Sequence, residues 1–217
     1  MGTSNAGQER PERRRRMPRA DRERQMVAVA GEEFAARGYT AASMDEIAER
    51  VGVSKPMLYE YFGSKEGLLV ACIRNARAEL LRVTSAAALR ETTPEEMLRC
   101  GLVAYFEFVR SQGKAWALLR TEAAVASPSA AEEIEAGRAQ QTDLISSTMA
   151  IYAPGLPPEN LQATAEIIVG GCERLAHWCD HHPEVTSEQA AELVMRLTWT
   201  GFEHLLRQVT ETSPGRF

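Results

Sequence analysis

A short phrase recurs along the 217-residue chain: a Ser or Thr, then Pro, Glu or Gln within three positions, then apolar residues spaced three and four apart. Ser43-Met44-Asp45-Glu46, Thr93-Pro94-Glu95-Glu96 and Thr186-Ser187-Glu188-Gln189 have the form of capping boxes, in which a side-chain oxygen accepts a backbone N–H at a helix start while the acid or amide reaches back. Ser54 and Ser127 stand just ahead of Pro56 and Pro128, and proline in the first helical turn forfeits no hydrogen bond. No run shows the alternation of a half-buried strand. The pattern predicts an all-α fold of about nine helices.

The same punctuation sets the expected boundaries. Residues 1–20 read as a flexible arm, broken by Pro11 and Pro18, and the first 24 residues hold 8 Arg against 4 acids. A first helix is expected from Asp21 to Arg37, ended by Gly38, and a second from the Ser43 box to Val51. Gly52 turns the chain, Ser54 caps a third helix reaching Phe62, and Ser64 opens a fourth from Lys65 to Leu89. Residues 21–66 thus form an N-terminal three-helix unit, and 67–217 a second helical domain. The second domain's helices are expected from Pro94 to Ser111, around Trp116, Leu119 and Ala123, from Pro128 past Met149, from Pro158 to His181, and from Ser187 onward.

Composition narrows the function. With 44% hydrophobic and 25% charged residues the chain can bury a sizeable core, and its longest apolar stretches, such as Leu68 to Ile73, are far short of a membrane span. No apolar segment follows the first arginines, so a secretory leader is not expected and the reading is cytoplasmic. The net charge of −5 hides a gradient: residues 1–66 carry 12 Lys+Arg against 11 Asp+Glu, and the remainder 13 against 19. Cys72, Cys100, Cys172 and Cys179 have no zinc-binding spacing, and on one helix Cys172 and Cys179 stand about 10 Å apart, too far for a disulfide. No nucleophile elbow, phosphate loop or HExxH motif points to an enzyme, and no cofactor or metal is expected.

The pair of short helices around Gly52 is the informative unit. Ile47, Ala48 and Val51 face inward on the first, Leu58 and Phe62 on the second, and a tight Gly52-Val53 turn joins them, as in a helix-turn-helix. Lys55 and Tyr59, four apart, share the outward face. Phe34 with Gly38-Tyr39, the run Ser43 to Ala48, Gly52-Val53-Ser54-Lys55-Pro56-Met57-Leu58-Tyr59, Tyr61-Phe62 and Ser64-Lys65-Glu66-Gly67-Leu68 together resemble the DNA-binding domain of TetR-family transcriptional regulators, over about residues 20 to 70. The resemblance implies phosphate contacts from Ser43, Tyr59 and Lys65, and base contacts from Lys55, Pro56 and Met57, with Ser54 and Tyr61 on the same surface. The arm can add phosphate or minor-groove contacts.

It also implies a second domain that dimerises and encloses an effector, so the expected partners are double-stranded DNA, a second copy of the chain and an unidentified small molecule. Leu102, Tyr105, Phe106, Val109, Trp116, Leu119, Met149 and Trp178 are the candidates for an apolar, aromatic pocket. Leu161, Ala165, Ile168, Cys172, Leu175 and Cys179 repeat at spacings of four and three, and with Leu193, Leu197, Gly201 and Leu205 they are the expected dimer interface. The function expected is a ligand-released, homodimeric repressor on a pseudo-palindromic operator. Two alternatives stay open: a metal or redox sensor, using Glu173, His177 and His181 or Cys172 and Cys179, and an architectural DNA-binding protein without effector.

Overall fold

The computed structural model describes residues 17–119, 127–153 and 155–212, with side chains as far as residue 201. Most of the arginine arm, Ala123 and the side chain of Leu205 lie outside the described residues. The described residues form nine helices: α1 (Arg19–Ala41), α2 (Met44–Val51), α3 (Lys55–Phe62), α4 (Lys65–Ala88), α5 (Pro94–Ser111), α6 (Gly113–Leu118), α7 (Pro128–Tyr152), α8 (Pro158–Cys179) and α9 (Ser187–Thr212). The predicted all-α fold is what the chain adopts, with a helix-turn-helix at its N-terminal end and a helical domain behind it.

The caps explain where the helices start. Ser43 Oγ accepts from the amides of Asp45 and Glu46 at 3.3 and 3.4 Å, Thr93 Oγ1 from Glu96 at 3.3 Å, and Ser127 Oγ from Ala130 at 3.0 Å. Only the last box closes in both directions: Gln189 donates its amide to Thr186 Oγ1 at 3.2 Å and accepts from the Thr186 N–H at 2.9 Å. Glu46 and Glu96 do not reach back as expected, because a guanidinium attracts each more strongly, Arg37 at 2.9 Å and Arg99 at 3.5 Å. Ser54 is a second correction: it sits at the N-cap of α3 without a side-chain cap, and its carbonyl accepts from Met57 and Leu58 instead. The first helix starts two residues earlier than expected and breaks at Gly38 (φ 74°, ψ 168°) before one further turn.

Packing joins these helices into one core. Met26, Ala30 and Phe34 of α1 bury against Ile47, Ala48 and Leu58, and α4 continues the same apolar mass through Leu68, Leu69, Cys72 and Ile73. The expected boundary at residue 66 falls at the start of α4, which packs on α1 and α3 and also on α5 and α7. A single long helix is therefore shared between the DNA-binding end and the rest. At the far end Met149, Ala153, Leu156 and Leu161 close a small separate cluster.

Candidate DNA interface and internal cavity

The helix-turn-helix is fixed by its corner. Gly52 is left-handed (φ 77°, ψ 37°), a conformation that costs glycine nothing, and its N–H donates to the carbonyls of Ala48 and Glu49 at 2.9 and 3.0 Å. The exit from α3 is equally constrained: a Cβ on Gly67 would lie 2.1 Å from the Phe62 carbonyl oxygen, so only glycine lets α4 start so close to α3. With Leu58 wholly buried, α3 is anchored by one face and leaves Lys55, Pro56 and Tyr59 exposed, with Met57 half-buried beside them. Ser54 is exposed and Ser43 half-buried at the starts of their helices.

Three of the expected DNA contacts already have partners. Lys55 Nζ donates to Asp45 Oδ2 at 2.9 Å, and that carboxylate raises the lysine pKa through the hydrogen bond and its charge. Lys65 Nζ donates to the Thr40 carbonyl at 3.2 Å and lies 4.9 Å from the centre of the Tyr39 ring. Tyr61, half-buried, has its ring covered by the Arg19 guanidinium at 4.8 Å. That contact sets the start of α1, and so the root of the arm, against α3.

Behind this face, ion pairs tie α1 and α2 to α6. Glu33, nearly buried, accepts from Arg37 at 2.8 Å and Arg50 at 3.2 Å, while Arg50 also meets Glu32 at 2.6 Å. Lys114 of α6 approaches the same Glu32 at 3.6 Å, and the two cations, Arg50 foremost, lower its pKa. Beside them Leu118 of α6 packs on Gly31 of α1.

Helices α4 to α9 line a partly open cavity of about 180 Å³. Its wall includes Leu80 and Thr84 of α4, Leu102 and Tyr105 of α5, Trp116 of α6, Ile134, Arg138 and Met149 of α7, Ile168 and Cys172 of α8 and Trp199 of α9. Of the eight expected pocket residues the structure brings five to this wall: Leu102, Tyr105, Trp116, Leu119 and Met149. Phe106 and Val109 are corrected to core, since they are buried and take no part in the cavity wall, Phe106 standing behind it edge-on to Tyr105 at 5.1 Å. Trp178 is corrected to the surface, 44% exposed and stacked on His182 at 3.7 Å. The contributions of α4, α7 and Trp199 had no signal in the sequence beyond ordinary apolar periodicity.

This division into a DNA-facing end and a hollow helical body is matched by two family models. The first, bacterial regulatory proteins of the tetR family, matches residues 27–72, and the second, the tetracyclin repressor-like C-terminal domain, matches 94–201. The chain belongs to the TetR family. The transcriptional activator FasR of Mycolicibacterium smegmatis is 29% identical over 204 residues, covering 92% of this chain and 93% of its own. Among solved structures, a TetR-like transcriptional regulator from Rhodococcus sp. RHA1 superposes with a TM-score of 0.69 at 29% identity, over 87% of this chain and 99% of that one. A TetR-family regulator from Streptomyces coelicolor gives 0.68 at 25% identity, over 91% and 92%.

Within this TetR-family chain the described residues of the expected interface fall into three groups. Leu161, Ala165, Ile168 and Cys172 are corrected: α8 turns them inward, where the chain itself already buries them, Ile168 and Cys172 against the cavity. Leu175 and Cys179 are half-buried against the core, whereas Leu193, Leu197 and Gly201 are exposed. The sequence missed Ile167, 68% exposed, with Gly170 and Gly171 beside it on the outer face of α8. Glu173 accepts from Arg138 at 2.8 Å, which removes it from a ligand set with His177 and His181, and among the described residues no group of His, Cys, Asp and Glu could hold a metal ion. Burial pushes the Cys172 thiol up to about 12 and raises Cys179 as well, which disfavours the reactive thiolate in both. Among the described residues no helix is long and apolar enough to cross a membrane.

Proposed function

We propose that this helix-turn-helix regulator is a homodimeric repressor whose operator binding is weakened by a small apolar molecule in the cavity between α4 and α9. The observation that carries the reading is the position of α6: Trp116 forms part of the cavity wall, while Lys114 and Leu118 of the same helix touch α1 of the DNA-binding end. A ligand that displaces Trp116 therefore acts on an element that also holds α1. DNA contact by Lys55, Pro56, Met57 and Tyr59 places α3 in the major groove, with Ser43, Ser54, Lys65 and the arm on phosphates.

Dimerisation is assigned to the outer stripe of α8, Ile167, Gly170, Gly171 and Trp178, with Leu193, Leu197 and Gly201 of α9. Leu197 is 83% exposed in the single chain. An apolar stripe broken by glycines suits close helix packing in a two-fold interface. Two recognition helices then lie about 34 to 36 Å apart, one turn of DNA.

The test is a DNA-release titration with compounds recovered from the purified protein by organic extraction. A compound that lowers operator affinity a hundredfold must bind the free protein about a hundredfold better than the complex, a coupling near 2.7 kcal/mol. Release of DNA is expected, and unchanged affinity with a compound shown to occupy the cavity would contradict the reading. Activation is the second reading, favoured by the name of FasR. Transcription in vitro from an operator-bearing template separates the two by sign.

A further inference from the structure

The cavity is a slot with two unlike ends. Its wall follows α5 from Pro94 to Tyr105 and α7 from Ile134 to Met149, about 16 and 22 Å along the helix axes. Met97, Ile145, Met149 and Trp199 make one end apolar. At the other end lie Tyr105 and Trp116, their rings edge-on at 5.6 Å, with Arg138 and Glu173 close enough to act on the tyrosine.

The polar atoms of the wall are mostly occupied. Thr84, Thr148, Thr164 and Thr198 donate to the carbonyl four residues back at 2.8 to 2.9 Å. Arg77 is held by Glu133 at 3.1 Å, and Arg138 by Glu173 at 2.8 Å. Two groups stand apart: Tyr105 Oη and Trp116 Nε1 are buried without a hydrogen-bond partner among the described residues. An indole N–H can only donate. Burial holds the Tyr105 pKa well above its ordinary value, so at neutral pH the hydroxyl keeps its proton and remains a donor.

We infer that the slot binds an uncharged, elongated apolar molecule with a carbonyl-type acceptor at one end, which displaces the two rings far enough to be held by Tyr105 Oη–H and Trp116 Nε1–H, both sealed from the slot without it. This rests on the effector reading and adds the chemistry of the ligand. An alkane leaves both buried donors unpaired, which is unfavourable. A carboxylate would face Glu173, whose partner Arg138 is already engaged. A 150 Å³ apolar cavity holds benzene, so 180 Å³ suits a body of roughly eight non-hydrogen atoms.

The probes are 2-heptanone, n-octane and heptanoate, titrated calorimetrically at neutral pH into the full chain and into Tyr105→Phe and Trp116→Phe. The ketone is expected to bind, about tenfold weaker in each variant, with octane affinity unchanged and heptanoate at least tenfold weaker than the ketone. In ¹H–¹⁵N spectra the chain has three tryptophans, and the indole resonance missing from Trp116→Phe should move downfield with ketone and not with octane. Unchanged ketone affinity in either variant, heptanoate binding more tightly than ketone, or no ketone binding overturns the inference. All of this is read without DNA. Ketone that binds as expected and leaves operator affinity unchanged defeats the effector reading alone, whereas DNA release by another compound, with ketone indifferent to both variants, defeats only this inference.

Discussion

At the scale of single residues, the DNA-free protein holds Lys55 in a pair with Asp45 at 2.9 Å, so reaching a base edge means exchanging one partner for another. Asp45→Asn should raise affinity for all duplexes, because it removes a carboxylate from the DNA-facing surface and lets Lys55 reach its base without giving up a partner. Lys55→Ala should relax preference at one base pair per half-site by a factor of roughly 10, whereas Tyr59→Phe should weaken every sequence alike. Fluorescence anisotropy against a panel of single-base operator variants measures both. The buried thiols give a pH signature: Cys72 and Cys172 are both pushed up from 9.0 to about 12 by burial. A raised acid pKa in the folded state means the fold keeps protons that the unfolded chain releases, so stability is full below about pH 8.5 and falls as pH rises towards 12. Urea melts across that range should show the decline, and the Cys72→Ala, Cys172→Ala double variant should reduce it, with Tyr105, Cys179, Cys100 and Tyr39, all raised by burial, keeping part of the slope.

Elements differ in how much of their role can be read from sequence. The caps at Ser43, Thr93 and Thr186 and the turn at Gly52 are local: each is decided within four residues, and so the order of helices and the helix-turn-helix were legible. Which side of α8 the chain leaves exposed was not. The run Leu161, Ala165, Ile168, Cys172 is the strongest apolar repeat of that helix, and the chain spends it on its own interior, leaving the weaker stripe through Ile167 and two glycines outside. The apolar repeat of such a helix marks its deeper face and says little of the other. Neighbouring substitutions separate the two faces. Ile168→Glu should unfold the protein, since an unpaired carboxylate inside apolar packing costs several kcal/mol. Ile167→Glu should leave the fold intact and yield monomers with weakened operator binding, as light scattering and circular dichroism would show.

For the whole molecule, the cavity and the DNA face belong to one continuous core, and the sequence could not announce the cavity. Tyr105 and Phe106 are adjacent aromatics on one helix, yet one borders space and the other packs solidly, because the difference depends on how six helices cross. Between cavity and DNA face stands α6, and Lys114→Ala should cut the ligand's effect on DNA affinity by about 0.5 to 2 kcal/mol while leaving ligand binding and fold unchanged. If two copies of α3 read DNA through Lys55 and its neighbours, selection of bound duplexes from a random pool by the wild-type chain and by Lys55→Ala will show it. The wild type should enrich an inverted repeat with half-site centres about 10 to 10.5 base pairs apart, or a multiple of it, and the variant should lose one specified base pair in each half. Enrichment of no sequence, or of one that Lys55→Ala selects unchanged, would contradict it.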